Sequence, residues 1–358
     1  MLRGSATPAG TVAYRAALGG VARNGHFREW RGLALSSVGI GTYLGREDDV
    51  TDALYEAAIE RALLSGINVI DSAVNYRRQR SERAVGRALA KAVGAGQVGR
   101  EGVVVATKGG FLPFDGPPPL GLLGAGDLVG GSHCITPRYL EDQIERSRTN
   151  LGLETIDIYY LHNPETQLGE VDRVELERRL RAAFEALETA VSDGCIARYG
   201  TATWTGFRAD PSAADYLSLA ELVAIASEVG GQDHHFEVVQ LPYNLGMPEA
   251  FTRANQRVKD RTVPVLEAAR QLGIFVMASA SVHQGQLTRN LPPMITEYIP
   301  GLTSDAQRAL QFVRSTPGIG TALVGMKSAG HVEENTKVGA VPPMAWEQFQ
   351  RLFSAAAG

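Results

Sequence analysis

The sequence predicts a single (β/α)8 TIM barrel, an α/β fold, with a long loop after its third strand and an N-terminal extension. Three observations carry this. Eight short apolar runs recur along the 358 residues, each parted from the next by a longer stretch of helical period. Several runs are rich in Val and Ile without polar alternation, as strands buried on both faces of a parallel sheet should be. The phosphate fingerprint of the open doubly wound alternative, Gly-x-Gly-x-x-Gly after the first strand, is missing, because Gly39-Ile40-Gly41 continues as Thr42-Tyr43-Leu44. Successive βα units with right-handed crossovers close most economically into a barrel at this length.

In chain order, residues 1–34 precede the first run and are read as an arm or hairpin closing the barrel, leaving 35–358 as the barrel domain. The runs fall at residues 35–40, 68–71, 103–107, 156–161, 197–201, 237–241, 274–278 and Thr321–Gly325. Between the first two, Leu54, Ala58 and Ala62 share a helical face. The later stripes are Leu140, Ile144, Ser147 and Leu151, then Leu176, Leu180, Phe184, Leu187 and Val191, then Ala306, Leu310 and Val313. Thr51, Ser81 and Ser304 are the expected N-caps, since their hydroxyls can accept from a free backbone N–H. Gly66, Gly152, Gly194, Gly230 and Gly273 stand where helices should stop in a left-handed residue. Two long connections interrupt the alternation, at 109–136 and 282–303.

A net charge of −4 gives no basic footprint for nucleic acid, so a phosphorylated ligand would need locally placed cations. Cys134 and Cys195 lie far apart and outside metal-ligand spacing, which suits a reducing compartment. His234-His235 lack a third ligand at useful spacing, so no metal site is expected. No apolar run reaches the ~18 residues of a membrane span. Arg15, Arg23 and Arg28 break up the N-terminal stretch where a secretory leader would need an apolar core. The expectation is a soluble cytoplasmic protein with small-molecule partners.

In such a barrel, chemistry gathers at the C-terminal ends of the strands. Those positions give Asp71 after the second run, Lys108 after the third and His162 after the fourth, with Tyr76 in the loop after the second. Alone, each has an ordinary explanation: a turn cap, a surface lysine, a packed polar residue, a core filler. Together they make chemical sense. A phenol with a pKa of about 10 is a poor acid at neutral pH. A neighbouring lysine cation lowers it, and a carboxylate keeps that lysine buried and oriented. The product is a hydroxyl able to give or take a proton at a carbonyl oxygen, with His162 as a second hydrogen bond to that oxygen. No nucleophile is needed, which suits hydride transfer.

The motifs around these residues resemble the aldo-keto reductase family. Asp71-Ser72-Ala73-Val74-Asn75-Tyr76 with Ser81-Glu82 resembles its signature, Ala106-Thr107-Lys108 its lysine strand end and Tyr160-Leu161-His162 its Leu-His element. Gln240 with Tyr243-Asn244 resembles the cofactor-side residues. Ala322 to Ser328, followed by Glu334-Asn335, resembles the nucleotide-binding segment. The resemblance runs from about Leu35 to about Val338. It implies NADP(H) bound across the barrel mouth and a carbonyl or alcohol substrate, with Tyr76 as proton donor and Asp71, Lys108 and His162 as its support. It further implies cofactor contacts from Gly41, Thr42, Asp71, Thr203, Gln240, Ser279, Gly325, Lys327, Ser328, His331, Glu334 and Asn335.

Several positions depart from the pattern. The usual Ser-Asn pair after strand five is Ala202-Thr203, the stacking aromatic after strand seven is Ser279, and the glycine after the signature tyrosine is Arg77. The first two changes weaken the cofactor grip as the family builds it. Arg78 and Arg80 beside Arg77 are read as a solvated face or as an attraction for an anionic substrate. Phe111, Leu112 and Phe114 in the loop 109–136, and Trp204 after strand five, are candidates for a pocket wall, favouring an aromatic or bulky apolar substrate. Two other functions fit parts of the pattern: a redox-sensing regulatory or scaffold subunit of this fold with little turnover, and an aldolase with Lys108 as Schiff-base lysine.

Overall fold

Among the described residues, twelve strands follow from these runs and from two hairpins. They are β1 (Phe27–Trp30), β2 (Leu33–Ser36), β3 (Val38–Gly41), β4 (Val69–Asp71), β5 (Val104–Gly109), β6 (Ile158–His162), β7 (Tyr199–Ala202), β8 (Phe236–Pro242), β9 (Ala254–Val258), β10 (Arg261–Pro264), β11 (Phe275–Ser279) and β12 (Thr321–Gly325). In the computed structural model, which describes residues 1–19 and 25–354, the strands β3–β8, β11 and β12 form a closed parallel barrel in chain order. The (β/α)8 expectation holds. Arg23 lies outside the described residues.

The alternation of side chains along these strands builds two cores. Inward residues Val69, Val104, Ala106, Ile158, Tyr160, Ala202, Val238, Met277 and Leu323 fill the barrel. Trp30, Leu33 and Leu35 of the β1–β2 hairpin pack into the same cluster, and Trp30 stacks on Phe275 at 4.7 Å. Outward residues such as Ile40, Ile70, Val105, Leu161, Val239 and Val276 pack under the helices. Gly200 is where the barrel wall is tightest: a Cβ there would fall 1.6 Å from the Val238 carbonyl oxygen.

Some boundaries differ from the reading above. The first run, 35–40, belongs to two elements. Leu35 pairs with Arg28 in the hairpin, whereas Val38 pairs with Ala322 in the barrel. The switch occurs at Ser36 and Ser37, whose hydroxyls are satisfied by the Val38 carbonyl and by Arg314 Nε at 2.8 and 2.9 Å. Both elements are buried, so hydrophobicity alone does not separate them. The hairpin β9–β10 also has no counterpart among the runs.

The helix Asp49–Leu64 is capped by Asp48 rather than Thr51, and its buried face runs through Tyr55 and Ile59, leaving Leu54 exposed. The helix Arg80–Gly94 begins after three left-handed residues, Arg77, Arg78 and Gln79, which puts Ser81 inside its first turn. Ser304 does cap Asp305–Ser315. Gly152 and Gly273 end their helices at φ of 65° and 73°, but Gly230 is still helical and Gly231 takes the positive φ. Val191 is only partly buried. No helix among the described residues is long and apolar enough to cross a membrane.

The loop after β5 is a packed structure. Leu112, Leu122, Leu123, Leu128, Cys134 and Tyr139 form a small apolar cluster of their own. The connection 282–303 contains a 3-10 turn, His283–Thr288, and a short helix, Pro293–Tyr298.

Candidate active site

Asp71, Lys108 and His162 come to one place because each lies in the last residues of a parallel strand. Tyr76 is delivered to them by the turn after β4, which is anchored by Val74 N–H donating to the Lys108 carbonyl at 3.2 Å. Lys108 Nζ donates to Asp71 Oδ2 at 2.7 Å and to the Ser72 carbonyl at 2.8 Å. Gln240 Nε2 donates to the other Asp71 oxygen at 2.7 Å. The Lys108 cation stands 4.8 Å from the Tyr76 ring centroid, and the His162 ring meets Tyr76 edge-on at 5.9 Å.

The electrostatics follow from this packing. Burial disfavours the Lys108 cation, yet Asp71 and Tyr76 outweigh it and move its pKa upward. Burial pushes the Tyr76 phenol up; the Lys108 cation pulls it back, Asp71 opposes that pull, and the net remains upward. The sequence reading expected a net lowering, because it counted the cation without the apolar enclosure. Burial, then Lys108 and His133, hold His162 well below the ordinary imidazole value, so it is neutral at physiological pH.

Above these residues lies a cavity of about 790 Å³. Of the four proposed catalytic groups, Asp71, Tyr76 and His162 line it, and Lys108 sits behind them. Gly41, Thr42, Thr203, Gln240, Ser279, Gly325, Lys327, His331, Glu334 and Asn335 also line it. Ser328 does not; its hydroxyl accepts from His331 N–H and caps the helix Ala329–Thr336. Thr203 Oγ1 and Asn335 Oδ1 are buried with no partner among the described residues. A buried polar atom without a partner facing a cavity calls for a ligand or water. A Cβ at Gly325 would meet nothing within 4 Å, so the wall there is open. Lys327 forms no ion pair among the described residues. These features fit an elongated, phosphorylated cofactor.

Other expectations are redirected. Arg77 is buried against Asp52, Arg78 pairs with Glu47 and Arg80 with Asp49 and Asp52, so none lines the cavity as an anion site. Tyr243 turns into the core, where it stacks on Phe312 at 5.4 Å, and Asn244 binds the Ala280 carbonyl. Ser81 Oγ donates to the Thr42 carbonyl and buried Glu82 accepts from Thr107, so this pair braces the rim from behind. Of the loop residues, Phe111 lines the cavity; Leu112 joins the small apolar cluster and Phe114 is exposed. Trp204 lines the cavity while 41% exposed. His235 pairs with Glu188 at 2.7 Å.

Sequence reasoning missed several lining residues. Tyr43, Leu44, Asn75 and Asn163 are all at the cavity. Their signal was adjacency: Asn75 precedes Tyr76 and Asn163 follows His162. Gln284 and Thr288 come from the 3-10 turn in the connection 282–303, which carries no periodic signal.

The profile of the Aldo/keto reductase family matches residues 37–295, and the chain belongs to that family. Its relatives include the uncharacterized oxidoreductase YqkF of Bacillus subtilis (strain 168), 24% identical over 331 residues that cover 90% of this chain and 93% of the relative. They also include the NADH-specific methylglyoxal reductase of Escherichia coli (strain K12), 24% identical over 279 residues covering 75% and 69%. Among solved structures, an aldo/keto reductase from Klebsiella pneumoniae in complex with NADP and acetate matches with a TM-score of 0.64 at 20% identity, over 93% of this chain and 95% of that one. At that identity the structural match speaks for the fold.

Proposed function

We propose that this protein is an NADP(H)-dependent oxidoreductase of the alcohol dehydrogenase or carbonyl reductase type, acting on a small carbonyl or alcohol with Tyr76 as proton donor. The observation that carries this is the convergence of Tyr76, His162 and the Asp71–Lys108 pair at the floor of one cavity. The bound nicotinamide supplies or accepts a hydride. The chain's own groups do the rest. Tyr76 and neutral His162 hold the carbonyl oxygen, and Tyr76 Oη gives it a proton. Lys108 stabilises the phenolate left behind, and Asp71, fixed from two sides by Lys108 and Gln240, keeps that cation in place. Tyr43 flanks Tyr76 at 4.9 Å and Phe111 flanks His162 at 5.1 Å, with Trp204 lining the same cavity.

Thr203, Gln240, Ser279 and Asn335 would hold the cofactor, with Gly41, Thr42, Gly325, His331 and Glu334 lining the same cavity. Lys327 and Ser328 immediately precede the helix Ala329–Thr336, a position favourable to a phosphate. An NADH-specific relative exists, so the preference for NADPH rests on Lys327 itself. The free cysteines support a cytoplasmic location.

The complete tetrad speaks for turnover over a purely regulatory role. The aldolase reading fares worse, because Lys108 Nζ is engaged by Asp71 and Ser72 and sits behind the cavity wall. The test is to titrate NADPH against protein fluorescence and then follow cofactor absorbance over a panel of aldehydes and ketones. Binding with turnover supports the proposal. Binding without turnover on any carbonyl or alcohol points to the regulatory role, and no binding overturns both.

A further inference from the structure

We propose that His133, from the long loop after β5, is a positioning residue: it holds the backbone of His162 by a hydrogen bond and the ring of Phe111 by an edge-on contact. This rests on the reading of His162 as the residue that holds the substrate oxygen.

His133 is fully buried. Its Nε2 lies 2.7 Å from the His162 carbonyl oxygen. A carbonyl only accepts, so this nitrogen carries the proton. Nδ1 is therefore the acceptor, and it faces the amide donor Gln167 Nε2 at 2.7 Å. The orientation of Gln167 is fixed in turn, because its Oε1 accepts from Arg179 Nη1 at 2.5 Å, while Arg179 is held by Glu175 at 2.8 Å. The series Arg179, Gln167, His133, His162 thus has one consistent arrangement of donors and acceptors. Burial lowers the His133 pKa to about 4, against the opposing pull of the His162 carbonyl, so the neutral form this arrangement needs is the one present.

The same ring holds the substrate wall. Phe111 meets His133 edge-on at 4.7 Å and His162 edge-on at 5.1 Å. Backbone bonds from Cys134 N to Gly110 O at 2.8 Å and from Leu112 N to Ser132 O at 2.9 Å clamp the two arms of the loop around this contact. Gly110 is required at that point: with φ of 136°, a Cβ would sit 3.0 Å from His133 Nε2 and 3.2 Å from the His162 carbonyl.

Why His162 needs this help is visible in its own side chain. Its Nδ1 is buried with no hydrogen-bond partner among the described residues to set the ring. The imidazole is oriented by its backbone, which His133 holds, and by edge contacts with Tyr76 and Phe111. Metal-free catalytic histidines are commonly oriented by a partner on the second nitrogen; here that task passes to the main chain.

The test uses the full-length protein and three variants. His133→Phe keeps a ring against Phe111 and removes both hydrogen bonds. His133→Gln restores a side chain able to donate to the His162 carbonyl and accept from Gln167. Gln167→Leu removes only the Nδ1 partner. The readouts are kcat and KM for an aldehyde, NADPH Kd by fluorescence, and the imidazole ¹⁵N shifts of His162. Small displacements of a catalytic group cost large factors, so His133→Phe should lose about ten-fold or more in kcat. NADPH Kd should stay within about two-fold, since His133 does not line the cavity. His133→Gln should recover most of the loss, and Gln167→Leu should fall between.

The proposal is overturned if folded His133→Phe and Gln167→Leu turn over like the wild type. It is also overturned if His133→Gln is as impaired as His133→Phe while melting like the wild type, because restoring the two hydrogen bonds would then restore no turnover. Should His133→Phe not fold, wild-type turnover in Gln167→Leu, or a loss of about ten-fold or more in folded His133→Gln, overturns the proposal. If the wild type reduces no carbonyl, the functional reading above falls. The ¹⁵N shifts then decide for His133: shifted in the variants they support positioning, and unmoved they refute it.

Discussion

Replacing Lys108 by methionine removes one charge from the middle of the site, and the geometry sets the size of the effect. The cation stands 4.8 Å from the Tyr76 ring centroid. At that distance and an effective dielectric of about 20, its attraction for a phenolate is about 3–4 kcal/mol, or roughly two to three pKa units. Burial already holds the phenol above its ordinary value, and the cation is the main force opposing it. The variant phenol therefore becomes a harder acid to ionise, and kcat for carbonyl reduction should fall by about 100-fold or more. Alcohol oxidation needs Tyr76 ionised, so its rate climbs as pH rises toward the tyrosine pKa. In the variant that climb moves to higher pH. Stability falls too, since Asp71 is left buried with Gln240 as its remaining side-chain partner. Breaking a buried ion pair from one side costs about 3–5 kcal/mol. Adding Asp71→Asn should restore much of the melting temperature and none of the turnover, which separates folding from chemistry. The assay is cofactor absorbance with an aldehyde and its alcohol from pH 6 to about 10.5, run beside thermal melts. A Lys108→Met enzyme that keeps near wild-type turnover, or whose oxidation profile superimposes on the wild type, refutes this account of the site.

Tyr76→Phe removes the transferable proton and keeps the ring, so turnover should be lost while NADPH affinity by fluorescence stays within about two-fold. Lys327→Ala should weaken NADPH by about 1.5–3 kcal/mol and leave NADH unchanged, which calorimetry with both nucleotides reads directly. Phe111→Ala should alter the ranking of specificity constants across an aldehyde panel and Phe114→Ala should not, because Phe111 lines the cavity and Phe114 is exposed outside it. His26, buried with Nε2 at 2.8 Å from the Gly66 carbonyl, has its pKa lowered to about 4, first by burial. The unfolded chain takes up that proton near pH 6.5, so stability is complete above that value and declines as pH falls toward 4, by about 3 kcal/mol from this group. Thermal melts between pH 7 and pH 4 should show the loss, and His26→Gln should reduce it.

The barrel was legible because its signal is redundant. Each β-strand buried on both faces leaves an apolar run, and closure follows from the number of runs. The tetrad was legible for a related reason: strand ends are fixed points, so Asp71, Lys108 and His162 converge once the strands are known. What stayed hidden depends on partners that are distant in sequence. The split of 35–40 at Ser36–Ser37 is decided by Asn68, 32 positions from Ser36, and by Arg314, 277 positions from Ser37. Asn255, Gln256 and Tyr216 brace the β9–β10 hairpin to residues 207–219 in the same way. The net upward shift of Tyr76 was missed because desolvation is a property of the whole enclosure, which no local spacing encodes. His133 gave no sequence signal, since its place beneath His162 is set by the folding of the 109–136 loop.

The arginine in place of the signature glycine shows how a local rule is broken and then supported. Arg77, Arg78 and Gln79 all take positive φ, at 50°, 52° and 67°. A side-chain-bearing residue pays about 1–2 kcal/mol for that conformation, which glycine would avoid. Arg77 offsets the strain with contacts glycine lacks. Its Nε donates to the Arg46 carbonyl at 2.7 Å, its Nη2 reaches the Asp48 carbonyl at 3.3 Å and pairs with Asp52, and its guanidinium lies 5.4 Å from the Tyr55 ring centroid. Asp52 also receives Arg80 at 2.8 Å and Arg87 at 3.4 Å, so three cations share one buried carboxylate. Tyr55 and Leu44 both line the cavity, and the Tyr55 hydroxyl donates to the Leu44 carbonyl. The turn that carries Tyr76 is thereby fastened to the segment after β3. A glycine there would make none of these side-chain contacts. With arginine, the turn that carries Tyr76 is held through Asp52 and against Tyr55, and Tyr55 also lines the cavity, so the turn and that part of the cavity wall share one set of contacts.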